Sequence, residues 1–239
     1  MNIPATKPGP ELDLDLLEKL PLIDTDGQNV DSPWHRAAIG LLIESVLFYF
    51  RARTDFFVGG NMFIYFNLEQ ARNLDYRGPD FFFVKNTTLY PERRFWAVWL
   101  EGGRYPDVII ELLSPTTAQE DRTTKKDLYE QRFRTYEYFL FDPDTKKLEG
   151  WRLGKAHRYQ PIEPNEQGWL WSEELELWLG IWEGEYLRTH STWLRFFDSK
   201  GNLVLNKEEA ASHQVEELKE ELARLKALMA QQGISEPPK

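Results

Sequence analysis

Two acidic residues lie where the sequence otherwise reads as buried strand. Asp80 opens an apolar run, and Glu111 interrupts the run Val108–Leu113. A buried carboxylate without a partner costs several kcal/mol, so such a residue is retained when it is paired or when it binds a cation. The pattern indicates cation-assisted chemistry, with an ion pair to Arg94 or Arg104 as the structural alternative for Glu111.

Other acidic and His residues are weaker candidates for the same cation. Asp107 precedes Glu111 on one strand by roughly 13 Å, whereas carboxylates that share a divalent ion each lie about 2.0–2.6 Å from it. Asp80 is on another strand and can lie beside Glu111 if the two strands pair. The four His residues, at 35, 157, 190 and 213, are too scattered to predict a metal cluster. We therefore expect Asp80 and Glu111 to act together.

Helical and extended patterns around these residues predict an α/β or α+β core. Ser32 and Pro33 are typical of a helix start, and apolar residues recur at helical spacing from about 33 to 52. Aromatic and apolar runs predict strands at 56–58, 62–66, 81–84 and 108–113. The last of these is almost entirely apolar, which indicates a strand covered on both faces.

The sequence after the central strand predicts a helix and then a hairpin. Thr117 and Glu120 have the spacing of a capping box, and a helix is predicted from about Thr123 to Arg132. A hairpin is predicted at 138–151 around an Asp-Pro-Asp-Thr turn. Further short strands are predicted from about 157 to 198.

The C-terminal segment has a different pattern. Its apolar residues follow the 4, 3, 4 spacing of a heptad seam, at 211, 215, 218, 222, 225 and 229. This predicts a parallel or antiparallel dimer seam, or alternatively an amphipathic helix packed on the domain. The predicted divisions are an N-terminal extension (1–31), a main domain (32–204), a coiled-coil helix (205–232) and a tail (233–239).

Composition limits the classes of function. The chain has 239 residues, no Cys and a net charge of −10. This charge argues against a broad, passive nucleic-acid surface, but not against an enzyme that meets phosphates through a metal ion. Without Cys there is no disulfide or thiolate site. The first residues lack a signal-peptide pattern and no run approaches the roughly 18 apolar residues of a membrane span, so we expect a soluble cytoplasmic protein.

The sequence resembles the Uma-two family of restriction endonucleases, a branch of the PD-(D/E)XK nuclease superfamily. The resemblance runs from about residue 30 to 200. It is carried by Pro79-Asp80, by the stretch 106–117 that contains Glu111, and by Asp121-Arg122-x-x-Lys125-x-x-Leu128-Tyr129. It implies a restriction-endonuclease-like fold, with a central mixed sheet flanked by helices and the site at strand ends.

The resemblance also implies roles for the singled-out residues. Asp80 and Glu111 would bind Mg²⁺ or Mn²⁺ with the main-chain carbonyl of Leu112, and Lys125 would position or polarise the attacking water. We therefore expect a metal-dependent endonuclease acting on DNA, as a homodimer joined through its sheet edge, its coiled coil or both. Residues available for a local basic rim are Arg93, Arg94, Arg104, Arg122, Lys125, Lys126, Arg132 and Arg134.

One position departs from the superfamily pattern. The Lys of the Glu-x-Lys motif is replaced by Leu113. The family carries this Lys on the next helix, where Lys125 shares a face with Asp121 and Tyr129. Rotating that helix by about 100° would bring Lys126 there instead. The missing in-line Lys and the acidic charge motivate an alternative, a non-catalytic oligomeric interaction module that keeps the nuclease fold.

Overall fold

The computed structural model describes residues 32–67, 70, 78–115 and 117–231. The predicted extension (1–31) and tail (233–239) lie outside these residues. Helix α1 (Pro33–Tyr49) begins at the predicted cap, because the Ser32 side chain accepts a hydrogen bond from the His35 N–H at 3.1 Å. Its buried face covers one side of the central sheet.

Six strands form the central sheet. They are β1 (Phe56–Gly59), β3 (Phe81–Lys85), β5 (Val108–Leu112), β6 (Glu137–Asp142), β7 (Lys147–Leu153) and β8 (Tyr159–Pro161), paired in that order. The strands β5 and β6 run parallel, and the other neighbouring pairs run antiparallel. The predicted mixed sheet is confirmed, and β6 with β7 forms the predicted hairpin.

The sheet is covered on both faces, which explains its continuous apolar runs. Along β3, Phe81 and Phe83 pack into the layer that contains α1, while Phe82 and Val84 pack into the opposite layer. The same alternation along β5 sends Ile110 to the first layer and Ile109 to the second. Glu111 therefore faces the second layer, where Tyr129 and Tyr138 also lie.

The helical segment after β5 differs from the prediction. It consists of α2 (Ala118–Glu120), a π-helical turn (Asp121–Lys125), α3 (Lys126–Leu128) and a second π-helical turn (Tyr129–Phe133). It begins before Thr123, and the predicted capping box is wrong: the Thr117 side chain does not cap the helix but bonds back to the Ser114 side chain at 3.0 Å. Since Ser114 and Thr117 can satisfy each other locally, Glu120 is not needed for capping.

The remaining elements complete the layers. A short parallel pair is formed by β2 (Ile64–Tyr65) and β4 (Trp96–Ala97). A three-stranded antiparallel sheet contains β9 (Leu170–Ser172), β10 (Leu177–Tyr186) and β11 (Thr189–Phe197), and it packs against α1. The long helix α4 (Lys207–Gln231) follows. Among the described helices, none has the length and hydropathy required to cross a bilayer.

Candidate active site at the ends of two strands

The pairing of β3 with β5 brings the two predicted carboxylates together. Phe81 lies opposite Ile110 in the antiparallel register, so the next pair outward is Asp80 and Glu111. The two residues are linked in both directions. The Asp80 N–H donates to Glu111 Oε2 at 3.3 Å, and the N–H of Leu112 donates to Asp80 Oδ2 at 2.7 Å. Both carboxylates are thus held by the main chain of the facing strand.

The helical segment covers Glu111 from the second layer of the protein. Lys125 Nζ lies 3.1 Å from Glu111 Oε1, and the Tyr129 hydroxyl donates to the same oxygen at 3.0 Å. Lys125 Nζ also lies 2.7 Å from Asp121 Oδ1, one turn earlier on the helix. The Asp121 main-chain carbonyl accepts from the Tyr138 hydroxyl at 2.9 Å, which ties this turn to β6. The predicted face of Asp121, Lys125 and Tyr129 is therefore the one that meets Glu111.

Burial sets the protonation behaviour of this cluster. Glu111 is only 1% exposed, and burial raises its pKa to about 8 despite the opposing charge of Lys125, with Asp80 and Asp121 adding to the rise. Burial alone would lower the pKa of Lys125, but the carboxylates of Glu111 and Asp121 outweigh it and raise that pKa. Burial, followed by the charge of Glu111, also raises the pKa of Tyr129. Lys125 remains a cation at neutral pH.

Two residues considered from the sequence lie elsewhere. Lys126 Nζ is 3.7 Å from the centre of the Trp151 ring, so it is directed to β7 rather than to Glu111. Asp107 lies at the opposite end of β5, where its Oδ2 accepts from the Lys85 N–H at 2.7 Å. The structure therefore brings Asp80, Glu111 and Lys125 together and separates Lys126 and Asp107 from them.

His35 joins the cluster without having been singled out in the sequence. Its Nε2 lies 2.8 Å from Asp80 Oδ1, and it approaches from α1 in the first layer. A signal was available, because His35 precedes the buried residues Ile39, Leu42 and Val46 at helical spacing and so lies on the buried face of α1. A cleft of about 470 Å³ opens beside His35 and is also lined by Leu113 and Ser114.

The carboxylates of the site fit an ion such as Mg²⁺, which needs few protein ligands, better than an ion that is held entirely by protein side chains. Within the residues that the structure describes, no three His, Asp or Glu side chains are grouped to hold one ion. Mg²⁺ instead binds through one or two carboxylates, with water and substrate phosphates completing its shell. Asp80 and Glu111 provide such a pair, and the charges of Glu111, Asp121 and Asp80 all act on the ammonium of Lys125. A bound cation would offset this local excess of acidic groups.

Several cations of the predicted basic rim are engaged in the fold. Arg122 lies 3.2 Å from Glu149 and 3.7 Å from Asp142, close to the helical segment. Arg93 pairs with Glu101 at 2.6 Å. Arg104 and Arg134 line a separate cavity of about 290 Å³ that also contains Asp107. The rim is therefore divided between two ends of the sheet.

Comparisons with known proteins place the chain in a family. No curated protein matches it. Among solved structures, it is similar to a protein from Anabaena variabilis ATCC 29413 described as "a putative nuclease belonging to DUF820", with 16% identity and a TM-score of 0.46, over 68% of this chain and 89% of the other. The model of the Uma2 family, described as "Putative restriction endonuclease", matches residues 22–189. Because that range spans more than half of the chain, the protein belongs to the Uma2 family.

Proposed function

We propose that the protein is a metal-dependent endonuclease that hydrolyses DNA phosphodiester bonds. Asp80 and Glu111 bind Mg²⁺ or Mn²⁺ together with the main-chain carbonyl of Leu112, and Lys125 assists the attack of water. The observation that carries this proposal is the meeting of Asp80, Glu111 and Lys125 at one strand end. Membership of a family described as "Putative restriction endonuclease" supports the same reaction class.

The reaction requires no covalent enzyme intermediate. The oxygen of a water molecule forms a new bond to phosphorus, and the bond from phosphorus to the departing deoxyribose oxygen breaks. One proton of the attacking water passes to bulk water, and the departing oxygen takes a proton from bulk water. When bound, a divalent cation stabilises charge on the phosphate oxygens and favours loss of the proton from water.

The residues of the chain supply position and charge. The N–H groups of Asp80 and Leu112 hold the two carboxylates in fixed orientations, so little reorganisation is needed on binding. Lys125 remains protonated because of its acidic neighbours. It therefore offsets negative charge on the phosphorane and donates a hydrogen bond to the attacking water or to a phosphate oxygen.

A cleavage assay with matched variants tests this proposal. Supercoiled and single-stranded DNA are incubated with the protein and Mg²⁺ or Mn²⁺, beside Glu111→Gln, Lys125→Ala and Lys126→Ala. We expect metal-dependent cleavage that is lost in the first two variants and kept in Lys126→Ala, whose side chain packs on Trp151. If Lys126→Ala lost cleavage and Lys125→Ala kept it, the role of assisting the attack of water would belong to Lys126 instead of Lys125.

The alternative, a non-catalytic interaction module, makes a different prediction. The acidic net charge and Leu113 in place of the in-line Lys favour it. It predicts no cleavage by the parent protein and no specific Mn²⁺ binding. Specific Mn²⁺ binding would count against it if the binding were lost in Asp80→Asn. Binding is measured by electron paramagnetic resonance as the decrease of the free Mn²⁺ resonance. Asp107→Asn is the control, because this carboxylate lies outside the cluster.

We also propose that the acting form is a homodimer. The support is the apolar seam of α4, which is exposed on the single chain at Val215, Leu218, Leu222 and Leu225. The packed-back arrangement considered from the sequence is not observed for these side chains. A second copy that covered them would remove a continuous apolar surface from water.

A further inference from the structure

The seam of α4 has the dimensions of a coiled-coil interface. Helix α4 is 25 residues long. Its central apolar side chains keep about half of their surface exposed, with Val215 at 50%, Leu218 at 62%, Leu222 at 55% and Leu225 at 48%. Regularly spaced apolar side chains with this exposure on a helix otherwise rich in Glu and Lys indicate a partner helix.

The spacing fixes the heptad positions. Val215, Leu222 and Met229 occupy a positions, and Leu218 and Leu225 occupy d positions. Among these a positions only Val215 is β-branched, and a β-branched residue at a with Leu at d favours two strands. The heptad that contains Val215 and Leu218 therefore fits a two-stranded seam.

The charges beside the seam select an orientation. Glu221 occupies a g position, and Lys226 occupies the e position of the next heptad. In a parallel dimer, Glu221 of each helix lies beside Lys226 of the other, which gives two attractive pairs. An antiparallel dimer with Val215 facing Leu225 instead sets Glu221 beside its own copy, and Lys219 beside its own copy. Like charges in these positions are unfavourable, so the pattern favours the parallel arrangement.

The first turn of α4 is fixed to the domain. The side chains and N–H groups of Asn206 and Glu209 bond reciprocally, at 2.9 Å in each direction. Arg195 of β11, which is buried, donates to both carboxylate oxygens of Glu209 at 2.8 and 2.7 Å and to the Val204 carbonyl at 3.1 Å. This two-point ion pair sets the direction in which α4 leaves the sheet.

We propose that α4 forms a parallel two-stranded coiled coil with a second copy of this chain, with both domains at the same end of the coil. An antiparallel coil would separate the two attachment points by about 30 Å, the length of some 20 helical residues. The proposal rests on the homodimer proposed above but not on DNA cleavage. It specifies the partner and the orientation that the heptad pattern alone leaves open.

Disulfide crosslinking tests the orientation, because the natural chain contains no Cys. In a parallel dimer, Leu225→Cys lies beside its own copy, within the distance of about 7 Å that a disulfide requires. We expect this variant alone to form a covalent dimer on mild oxidation. An antiparallel coil would instead crosslink Leu225→Cys to Val215→Cys in a mixture of the two proteins, as identified by mass spectrometry, and would overturn the proposal. Failure of both to crosslink would also overturn it.

Charge reversal on the full-length protein gives an independent test. We expect Glu221→Lys to raise the dimer dissociation constant about tenfold, because two attractive pairs become repulsive. The double variant Glu221→Lys/Lys226→Glu should return the dissociation constant to its natural value, because opposite charges again face each other across the two helices. Glu220→Lys, at an outward-facing position, is the matched control. Equal effects of Glu221→Lys and Glu220→Lys in sedimentation would contradict the proposed pairing, and neither measurement involves DNA or metal.

Discussion

At the scale of the residue, strand alternation determines what Glu111 can do. Its neighbours Ile110 and Leu112 pack into the layer of α1, so Glu111 must face the opposite layer. There it meets Lys125 and Tyr129 rather than solvent. A carboxylate in this position costs stability when it is ionised without sufficient positive charge, and this cost has a measurable pH dependence.

Replacing Glu111 with Gln should stabilise the metal-free protein at neutral pH. The pKa of Glu111 is about 8 in the folded protein, against an ordinary value of 4.5. Between these values the unfolded chain releases the proton while the folded chain retains it, so the free energy of unfolding falls as pH rises, by at most about 1.4 kcal/mol per pH unit. Gln removes this dependence.

The measurement is denaturant unfolding in EDTA from about pH 5 to pH 8. We expect the stability advantage of Glu111→Gln over the natural protein to grow by about 1 kcal/mol or more across this range. Glu185→Gln, which changes an exposed carboxylate, is the control. A constant difference between Glu111→Gln and the natural protein would show that Glu111 is ionised throughout in the folded state.

At the scale of the element, the site depends on a close approach between two segments. The turn after β1 passes beneath the start of β3, where the Asn61 N–H donates to the Pro79 carbonyl at 2.9 Å. A Cβ on Gly60 would lie 2.4 Å from the Asp80 carbonyl oxygen. The absence of a side chain at Gly60 is therefore a condition for the observed position of Asp80.

Gly60→Ala should impair the site while leaving the fold in place. The methyl group would displace the main chain at Asp80, and misplacement of a reacting group by about 1 Å can cost 10²-fold in rate. We expect weaker Mn²⁺ binding, measured by electron paramagnetic resonance. We also expect loss of most cleavage, measured on supercoiled DNA. Gly40→Ala is the matched control, because its Cβ meets no atom within 4 Å. Equal Mn²⁺ affinity in the two variants would contradict this account of Gly60.

The sequence was sufficient for the elements whose residues agree locally with their tertiary role. Ser32-Pro33 marks the start of α1, and the apolar run that Glu111 interrupts marks the central strand. The π-helical turns were not predictable from composition, since the choice between i+4 and i+5 hydrogen bonds depends on packing against β6 and β7. His35 was missed because it meets Asp80 by a contact between α1 and the start of β3, which a search for His clusters along the chain does not detect.

At the scale of the whole molecule, the proposed parallel dimer and the proposed endonuclease activity together predict what kind of break would be made in DNA. A single hydrolytic site cuts one strand at each encounter. Two domains at the same end of a coiled coil would present two sites to one duplex. If both proposals hold, the number of strands cut per encounter would report whether the protein acts as a dimer.

We expect the natural protein to convert supercoiled plasmid to linear DNA, and a monomeric variant to accumulate nicked circles. Leu218→Asp/Leu222→Asp places charges in the seam and should dissociate the dimer, as measured by light scattering. Ala223→Asp/Ala227→Asp makes the same change on the outward face of α4 and is the control. If a protein shown to be monomeric still gave linear product, double-strand cutting would not depend on dimerisation.

The paired amide contacts of Asp80 and Leu112 give the protein an internal spectroscopic reporter. Each of these N–H groups donates to a carboxylate of the candidate site rather than to a strand carbonyl. Their amide chemical shifts should therefore respond directly when charge on Asp80 or Glu111 is drawn toward a cation. Titration of the isotope-labelled natural protein with Mg²⁺ can thus follow the site in nuclear magnetic resonance spectra, with no substitution, probe or substrate.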